Sequence, residues 1–307
     1  MIKYIIKRLL YLLPVLFGVS FIVFTLLYIT PGDPAKMMLG EQADAQAITS
    51  LREELGLNDP FLVQFGNYIK KIFTKGDIGT SYSTKRPVLT EILEVFPNTV
   101  KLAIASTIVA IIIGILFGII SAVKQYSLLD SLITLLALLG ISMPMFWVGL
   151  LMILLFSVKL GWLPPSGLTS MKSMIMPAIA LGAQSIAVLT RMTRSSMLEV
   201  IRQDYIRMVR AKGQSEKVVI FGHAFKNALI PIITVIGLQF GSLLGGAIIT
   251  ESVFSIPGLG RLMIESIKNR DFPVVQGCVL FIAVTFSIVN LIVDLLYSYV
   301  DPRINTD

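Results

Sequence analysis

Long apolar runs separated by short polar segments dominate this chain. A helix needs about 20 apolar residues to cross a hydrocarbon core of about 30 Å. Six stretches meet or approach that length: approximately Leu9 to Thr30, Thr99 to Val123, Leu132 to Val158, Ile175 to Leu189, Leu229 to Ile249 and Val274 to Tyr299. They predict an all-α integral membrane protein with six transmembrane helices. The fourth run is short and interrupted by Pro177, Gly182, Gln184 and Ser185. Backbone groups freed by such residues need neighbouring helices to satisfy them, so this span belongs inside a bundle rather than against lipid. Composition agrees, since only 15% of the residues are charged where soluble domains average about 25%.

Basic residues set the orientation. Lys3, Lys7 and Arg8 precede the first span, which has no small-residue cleavage site behind it and reads as an uncleaved anchor that starts in the cytoplasm. Six spans return the C-terminus to the same side, which places the loops at Lys124 to Ser131 and Arg191 to Ala228 inside. The second loop carries eight Lys or Arg against Glu199, Asp204 and Glu216, so the net charge of +7 is largely an inside-loop effect. Nucleic-acid binding would need that charge on a soluble surface with interleaved aromatics, which the pattern lacks.

Covalent chemistry finds no residues to run on. Cys278 is the single cysteine and lies in the sixth span, and His223 is the single histidine, which excludes an intramolecular disulfide, a cysteine zinc site and a histidine-rich metal site. The chain has no P-loop sequence, hence no nucleotide site of that kind. Polar residues within spans are costly against lipid and point to a passage. These are Gln184, Gln239, Asn290 and Asp294, the last two one turn apart. Each also suits a helix-to-helix hydrogen bond, and Asp294 an ion pair. Pro144 predicts a kink. Gly114, Gly118, Gly241, Gly245 and Gly246 offer close helix approach to a homologous second subunit.

Two outer elements and one inner insert complete the organisation. After the first span, Ala43 to Leu55 and Pro60 to Phe73 read as helices, the second with Phe61, Phe65, Tyr68, Ile69 and Phe73 near helical spacing. They suit either a lid that packs on the bundle or a docking place for an external partner. A second outer element, Glu251 to Pro273, holds a Pro257-Gly258 turn followed by an apolar stripe of Leu259, Leu262, Met263 and Ile267, which is either packing or a gate. In the inner insert, Ser195 to Ile201 continues the fourth span, and Gln203-Asp204 interrupts it before Tyr205 to Val209 begin another helix. Gly213 then ends that helix in a left-handed conformation. Ser215 reads as an N-cap for a short helix from Glu216 to Ala224. A short helix held on a glycine hinge between two longer ones is what a mechanical linkage needs.

The insert resembles the cytoplasmic signature loop of ABC importer permeases. The run Asp204-Tyr205-x-Arg207-x-x-Arg210-Ala211-Lys212-Gly213, nine residues, then His223-Ala224-x-x-Asn227-Ala228-x-x-Pro231 is similar to the version in the dipeptide, oligopeptide, glutathione and nickel branch. The likeness extends over Pro31-Gly32-Asp33-Pro34, Leu55-Gly56-Leu57, Gly76-Asp77-Ile78-Gly79, Arg191-Met192-Thr193-Arg194, Phe254 to Arg261, Arg270 to Gln276 and Asp301-Pro302-Arg303. Where the general signature has Glu-Ala-Ala, this chain has Arg207, Met208 and Val209, and only Lys159 to Ser173 joins the third and fourth spans.

The resemblance implies a fold with both termini cytoplasmic: an ABC importer permease (MetI-like) core with an outer helical domain after the first span. The expected segments are 1–30 for tail and first span, 31–98 for the extracytoplasmic domain, and 99–307 for a five-helix core with the coupling insert 191–228. It implies the first permease subunit of an ATP-driven, binding-protein-dependent importer of short peptides in the bacterial cytoplasmic membrane. Glutathione or a nickel or metal chelate is the alternative cargo. ATP and Mg would sit on two partner ATP-binding subunits and no cofactor on this chain; a homologous permease and an extracytoplasmic solute-binding protein would complete the assembly. ATPase coupling then falls to Arg207, Ala211, Lys212, Gly213, Gln214, Ser215, Glu216, His223 and Asn227, and outer gating or binding-protein contact to Phe254, Pro257, Gly258, Leu259 and Arg261. An ion-coupled secondary transporter is the competing class; against it stands the lack of an internal repeat and of paired intramembrane carboxylates. A lipid-binding scaffold would not need the glycine-punctuated insert.

Overall fold

The computed structural model describes residues 2–40 and 43–300; Asp301-Pro302-Arg303 lie outside them. The described residues are almost wholly helical, with a lone antiparallel bridge between Thr80 and Pro87 as their β feature. In chain order the helices are α1 (Ile2–Ile29), α2 (Pro34–Leu39), α3 (Ala45–Glu54), α4 (Phe61–Lys75), α5 (Val88–Val123), α6 (Leu128–Ser142), α7 (Met145–Met152), α8 (Met171–Ile201), α9 (Asp204–Ala211), α10 (Phe225–Val253), α11 (Leu259–Lys268) and α12 (Phe272–Val300). Two π-helical stretches, Ile153–Lys159 and Val218–Ala224, extend α7 and lead into α10.

Among the described residues, five helical segments are long and apolar enough to cross a membrane, and a bent pair of helices makes six when it is counted as one span. The third apolar run does not form one straight helix: Leu128–Ser142 and Met145–Lys159 meet at 111°. Pro144 is the cause. It lacks an N–H and pushes the residue before it out of the helical region, and Met143 takes an extended conformation (ψ 132°) while its own N–H closes the last turn of α6 on the Leu139 carbonyl.

The chain divides into two compact units, Met1–Asn98 with Pro257–Ile288, and Thr99–Ile256 with Val289–Asp307, so that α5 and α12 each contribute to both. In the first unit, α4 lies along α1 through aromatic rings. Phe65 is buried and makes edge contacts with Phe17, Phe21 and Phe24 at 5.2–5.5 Å between ring centres, and Phe61 meets Tyr28 at 5.0 Å. The stripe read from the sequence therefore packs, except Phe73, which is 68% exposed. Helix α2 has no counterpart among the elements expected from the sequence; the Asp33 carboxylate caps it by accepting from the Ala35 N–H at 3.1 Å and pairs with Arg52 at 2.9 Å. The corner before α12 is held by Asp271. Its buried carboxylate accepts from the Ser81 hydroxyl at 2.5 Å and from the N–H groups of Tyr82 and Ser83 at 3.0 and 3.1 Å.

Helix α8 is the centre of the second unit: 61% of its most apolar window is buried, in keeping with its polar interruptions. Close approach explains this. A methyl group on Gly118 of α5 would sit 2.4 Å from the Thr193 Cβ and 2.8 Å from the Thr190 carbonyl oxygen, and one on Gly114 2.7 Å from the Leu189 Cβ. These two glycines are thus filled by α8 of the same chain and are not available to a second subunit, whereas Gly245 is open. Gly118→Ala should cost about 1–3 kcal/mol, because the contact is with backbone and a β-branched side chain that cannot swing away. Thermal unfolding of the purified protein checks this; an unchanged midpoint would mean that α5 and α8 can part freely.

Candidate functional site

The inner insert builds its shape from three local rules. Helix α8 runs on to Ile201, and α9 then forms a separate two-turn helix anchored by Ile206, which is fully buried beside Met197, Val219 and Ala224. Gly213 follows with φ +80°, a conformation that costs a Cβ-bearing residue energy, although a Cβ there would meet nothing within 4 Å. The constraint at Gly213 is conformational, not spatial. Across this turn the Arg210 guanidinium grips the Glu216 carboxylate with two bonds, Nε to Oε1 at 2.8 Å and Nη2 to Oε2 at 3.3 Å.

The expected short helix from Glu216 to Ala224 does not stand alone. It passes through the π-helical stretch straight into α10, where half-buried His223 accepts at its carbonyl from the exposed Asn227 side chain at 2.8 Å. The free-standing short element is α9, one step earlier in sequence, which ends on Ala211. The shift has a plain cause: nothing between Ala224 and Phe225 breaks the helix, while Gln203 and Gly213 bracket α9. Exposure marks a second feature. Tyr205, Met208, Val218 and Phe221 are 40–61% exposed, so apolar surface faces outward on an insert otherwise lined by Arg207, Ala211, Lys212, Gln214 and Ser215, all exposed. These four side chains are absent from the residues expected to couple, although the interleaving of Tyr205 and Met208 with buried Ile206 carries the signal.

Next to the insert, Asp130 in the first turn of α6 forms a polar hub. Its carboxylate accepts from Arg194 of α8 by two bonds of 2.8 Å, from the Tyr126 N–H at 3.0 Å and from the Ser121 hydroxyl. Tyr126 reaches it from a left-handed conformation with φ 64°. The hub thereby joins α5, α6, the loop between them and the stretch of α8 that leads to the insert.

The residues expected to line a passage are brought together in part. Gln239 of α10 donates to the Ser185 hydroxyl of α8 at 3.2 Å, a bond between helices, while Gln184 on the neighbouring position is exposed. Asn290 and Asp294 sit half-buried one turn apart on α12, and Asp294 is not without a partner. Of the expected outer contacts, three are buried: Phe254 at 1% exposed, Leu259 at 2%, and Gly258, and the Phe254 carbonyl accepts from the Gly167 N–H at 2.8 Å. Pro257 is exposed with its carbonyl held by Asn98 at 2.8 Å, and Arg261 pairs with Glu265 at 2.7 Å.

Residues 114–306 match the family described as binding-protein-dependent transport system inner membrane component, and residues 1–103 match its N-terminal region. The chain is 48% identical to the dipeptide transport system permease protein DppB of Alkalihalophilus pseudofirmus, over 99% of both chains. It is 46% identical to the glutathione transport system permease protein GsiC of Escherichia coli, again over 99% of both. Among solved structures, the inward-facing MetNI methionine ABC transporter superposes with a TM-score of 0.60 at 16% identity, covering 69% of this chain and 97% of that one, which establishes a shared fold. This chain belongs to the binding-protein-dependent transport inner-membrane components, multi-pass permease subunits of ABC importers in the bacterial inner membrane.

Proposed function

We propose that this chain forms half of the passage of an importer that brings short peptides into the cytoplasm, driven by ATP hydrolysed on separate subunits that receive the inner insert. The observation that carries the coupling role is α9, a short helix with Tyr205 and Met208 turned outward, seated on Ile206 and fixed to the next helix through Arg210 and Glu216. Such an apolar knob on a polar insert fits a groove of a partner, and its two attachments, to α8 and to α10, transmit displacement to both spans. A homologous permease would provide the facing wall and a solute-binding protein the delivery. Relatives named for dipeptide and for glutathione transport support a peptide-bonded cargo; both carry a free carboxylate and an amide, and the choice between them is read by competition in uptake.

The coupling role is tested at the hinge. Gly213→Val puts a β-branched residue at φ +80°, a strain of about 1–2 kcal/mol, and moves the start of the following helix relative to α9. In the reconstituted complex, ATPase stimulation by loaded binding protein should fall while complex assembly is kept. Normal stimulation together with normal uptake would show that the insert does not couple.

A further inference from the structure

Helix α8 is buried on most of its circumference, yet one stripe stays open. Gln184, Val188, Arg191 and Ser195 recur at helical spacing on one face, and three of them are exposed while Val188 is half-buried. Around Arg191 the stripe widens into a cavity of about 460 Å³ walled by Thr134 of α6, by Arg191, Arg194 and Ser195 of α8, and by Val235 of α10. No carboxylate lines it. Arg194 is spent on Asp130, and the Thr190 hydroxyl on the Ile186 carbonyl. The Arg191 guanidinium and the hydroxyls of Thr134 and Ser195 have no polar side-chain partner among the described residues. The cavity therefore presents a guanidinium and two hydroxyls with no carboxylate to answer the charge. Its depth follows from the helix. Arg191 follows Lys172 by nineteen residues of one helix, about 29 Å at 1.5 Å per residue, which sets it one membrane thickness from the outer end of α8.

We propose that this cavity is a binding site for a single oxyanion group, centred on Arg191 and oriented by the Thr134 and Ser195 hydroxyls. A planar guanidinium with hydroxyl donors beside it suits a carboxylate or a phosphate. Two sources supply that chemistry at this depth: the carboxylate of a solute on its way inward, and the phosphate of an anionic inner-leaflet lipid. The first source rests on the peptide reading; the site itself does not. Along α8 the Gln184 position lies two turns outward of Arg191 on the same stripe, so a solute passing there would meet amide recognition before charge recognition.

The test uses the whole importer in nanodiscs and proteoliposomes, as wild type and with Arg191→Gln, Arg191→Lys, and Thr134→Val with Ser195→Ala. One arm compares uptake of a dipeptide with uptake of its C-terminal amide, both first shown to load the binding protein. The other counts phosphatidylglycerol retained after delipidation by native mass spectrometry. If the solute is the ligand, Arg191→Gln lowers the acid-to-amide uptake ratio about tenfold, Arg191→Lys lowers it less, and lipid retention is unchanged. If the lipid is the ligand, Arg191→Gln loses one retained phosphatidylglycerol per copy of this chain, and the uptake ratio stays put. The hydroxyl double variant should shift the same readout about threefold, and it decides the matter where Arg191→Gln fails to assemble. A wild-type ratio and a wild-type lipid count in the variants would overturn the site. Absence of peptide uptake by the wild type would instead sink the peptide reading, and the lipid count would then decide the site alone.

Discussion

Arg194→Ala should lower the stability of the folded chain by about 3 kcal/mol, because it leaves the Asp130 carboxylate buried without its cation. Only 6% of the Asp130 side chain is exposed against 30% for Arg194, and this asymmetry orders the variants. Asp130→Asn leaves a guanidinium that can still turn to water, and its amide keeps one oxygen to accept from the Tyr126 N–H while its NH2 can donate to the Ser121 hydroxyl once that rotates to accept, so its cost should be smaller, about 1–2 kcal/mol. Removing both side chains should cost less than the sum of the single changes, since neither charge is then stranded. Equilibrium unfolding of the three variants in detergent measures all of this. Equal costs for Arg194→Ala and Asp130→Asn would show that the hub is solvated and contributes little. The consequence reaches function as well. The hub fixes α8 beside the insert; on the coupling role proposed above, a loosened hub would also lower ATPase stimulation.

What could be read from the sequence alone follows from how local each signal is. Span positions came from apolar run length, the interior place of α8 from Pro177, Gly182, Gln184 and Ser185, and the end of α9 from Gly213, each within one window of the chain. The break at Pro144 was legible as a kink, but its 111° size depends on how α7 packs, including the close seat of the Phe254 ring, which would lie 3.1 Å from a Cβ added to Gly149. The hubs were not legible. Asp130 finds Arg194 across 64 positions and Asp271 finds Ser81 across 190, and no periodicity links residues so far apart. The continuity of the Glu216 helix with α10 was hidden because a π-helical stretch needs no breaker and has no capping signature. Close packing of Gly114 and Gly118 within the chain, rather than on a partner, likewise needed the neighbouring helix α8 to be located first.

Asp271→Ala should release the loop at 80–87 and cost about 3–5 kcal/mol, since the Ser81 hydroxyl and the N–H groups of Tyr82 and Ser83 lose a buried, charged acceptor together. Tyr82 reports on this directly. Burial first, and the Asp271 carboxylate second, push its phenol from 10.0 up to about 12. A phenol whose folded value is raised contributes stability that is intact below about pH 10 and is lost as pH climbs through 12. In the wild type the alkaline absorbance step assigned to this residue, by difference from Tyr82→Phe, should therefore fall near pH 12. In Asp271→Ala it should move back toward 10 as the loop opens to water, and protease should cut the loop in the variant at neutral pH while sparing the wild type. Asp271→Asn separates the two causes: it removes the charge but keeps the side-chain shape, so Tyr82 should stay above 10 through burial alone. If the Tyr82 step and the protease pattern are both unchanged in Asp271→Ala, the corner is held by the packing of Val88, Ile92 and Val274 and the carboxylate is incidental.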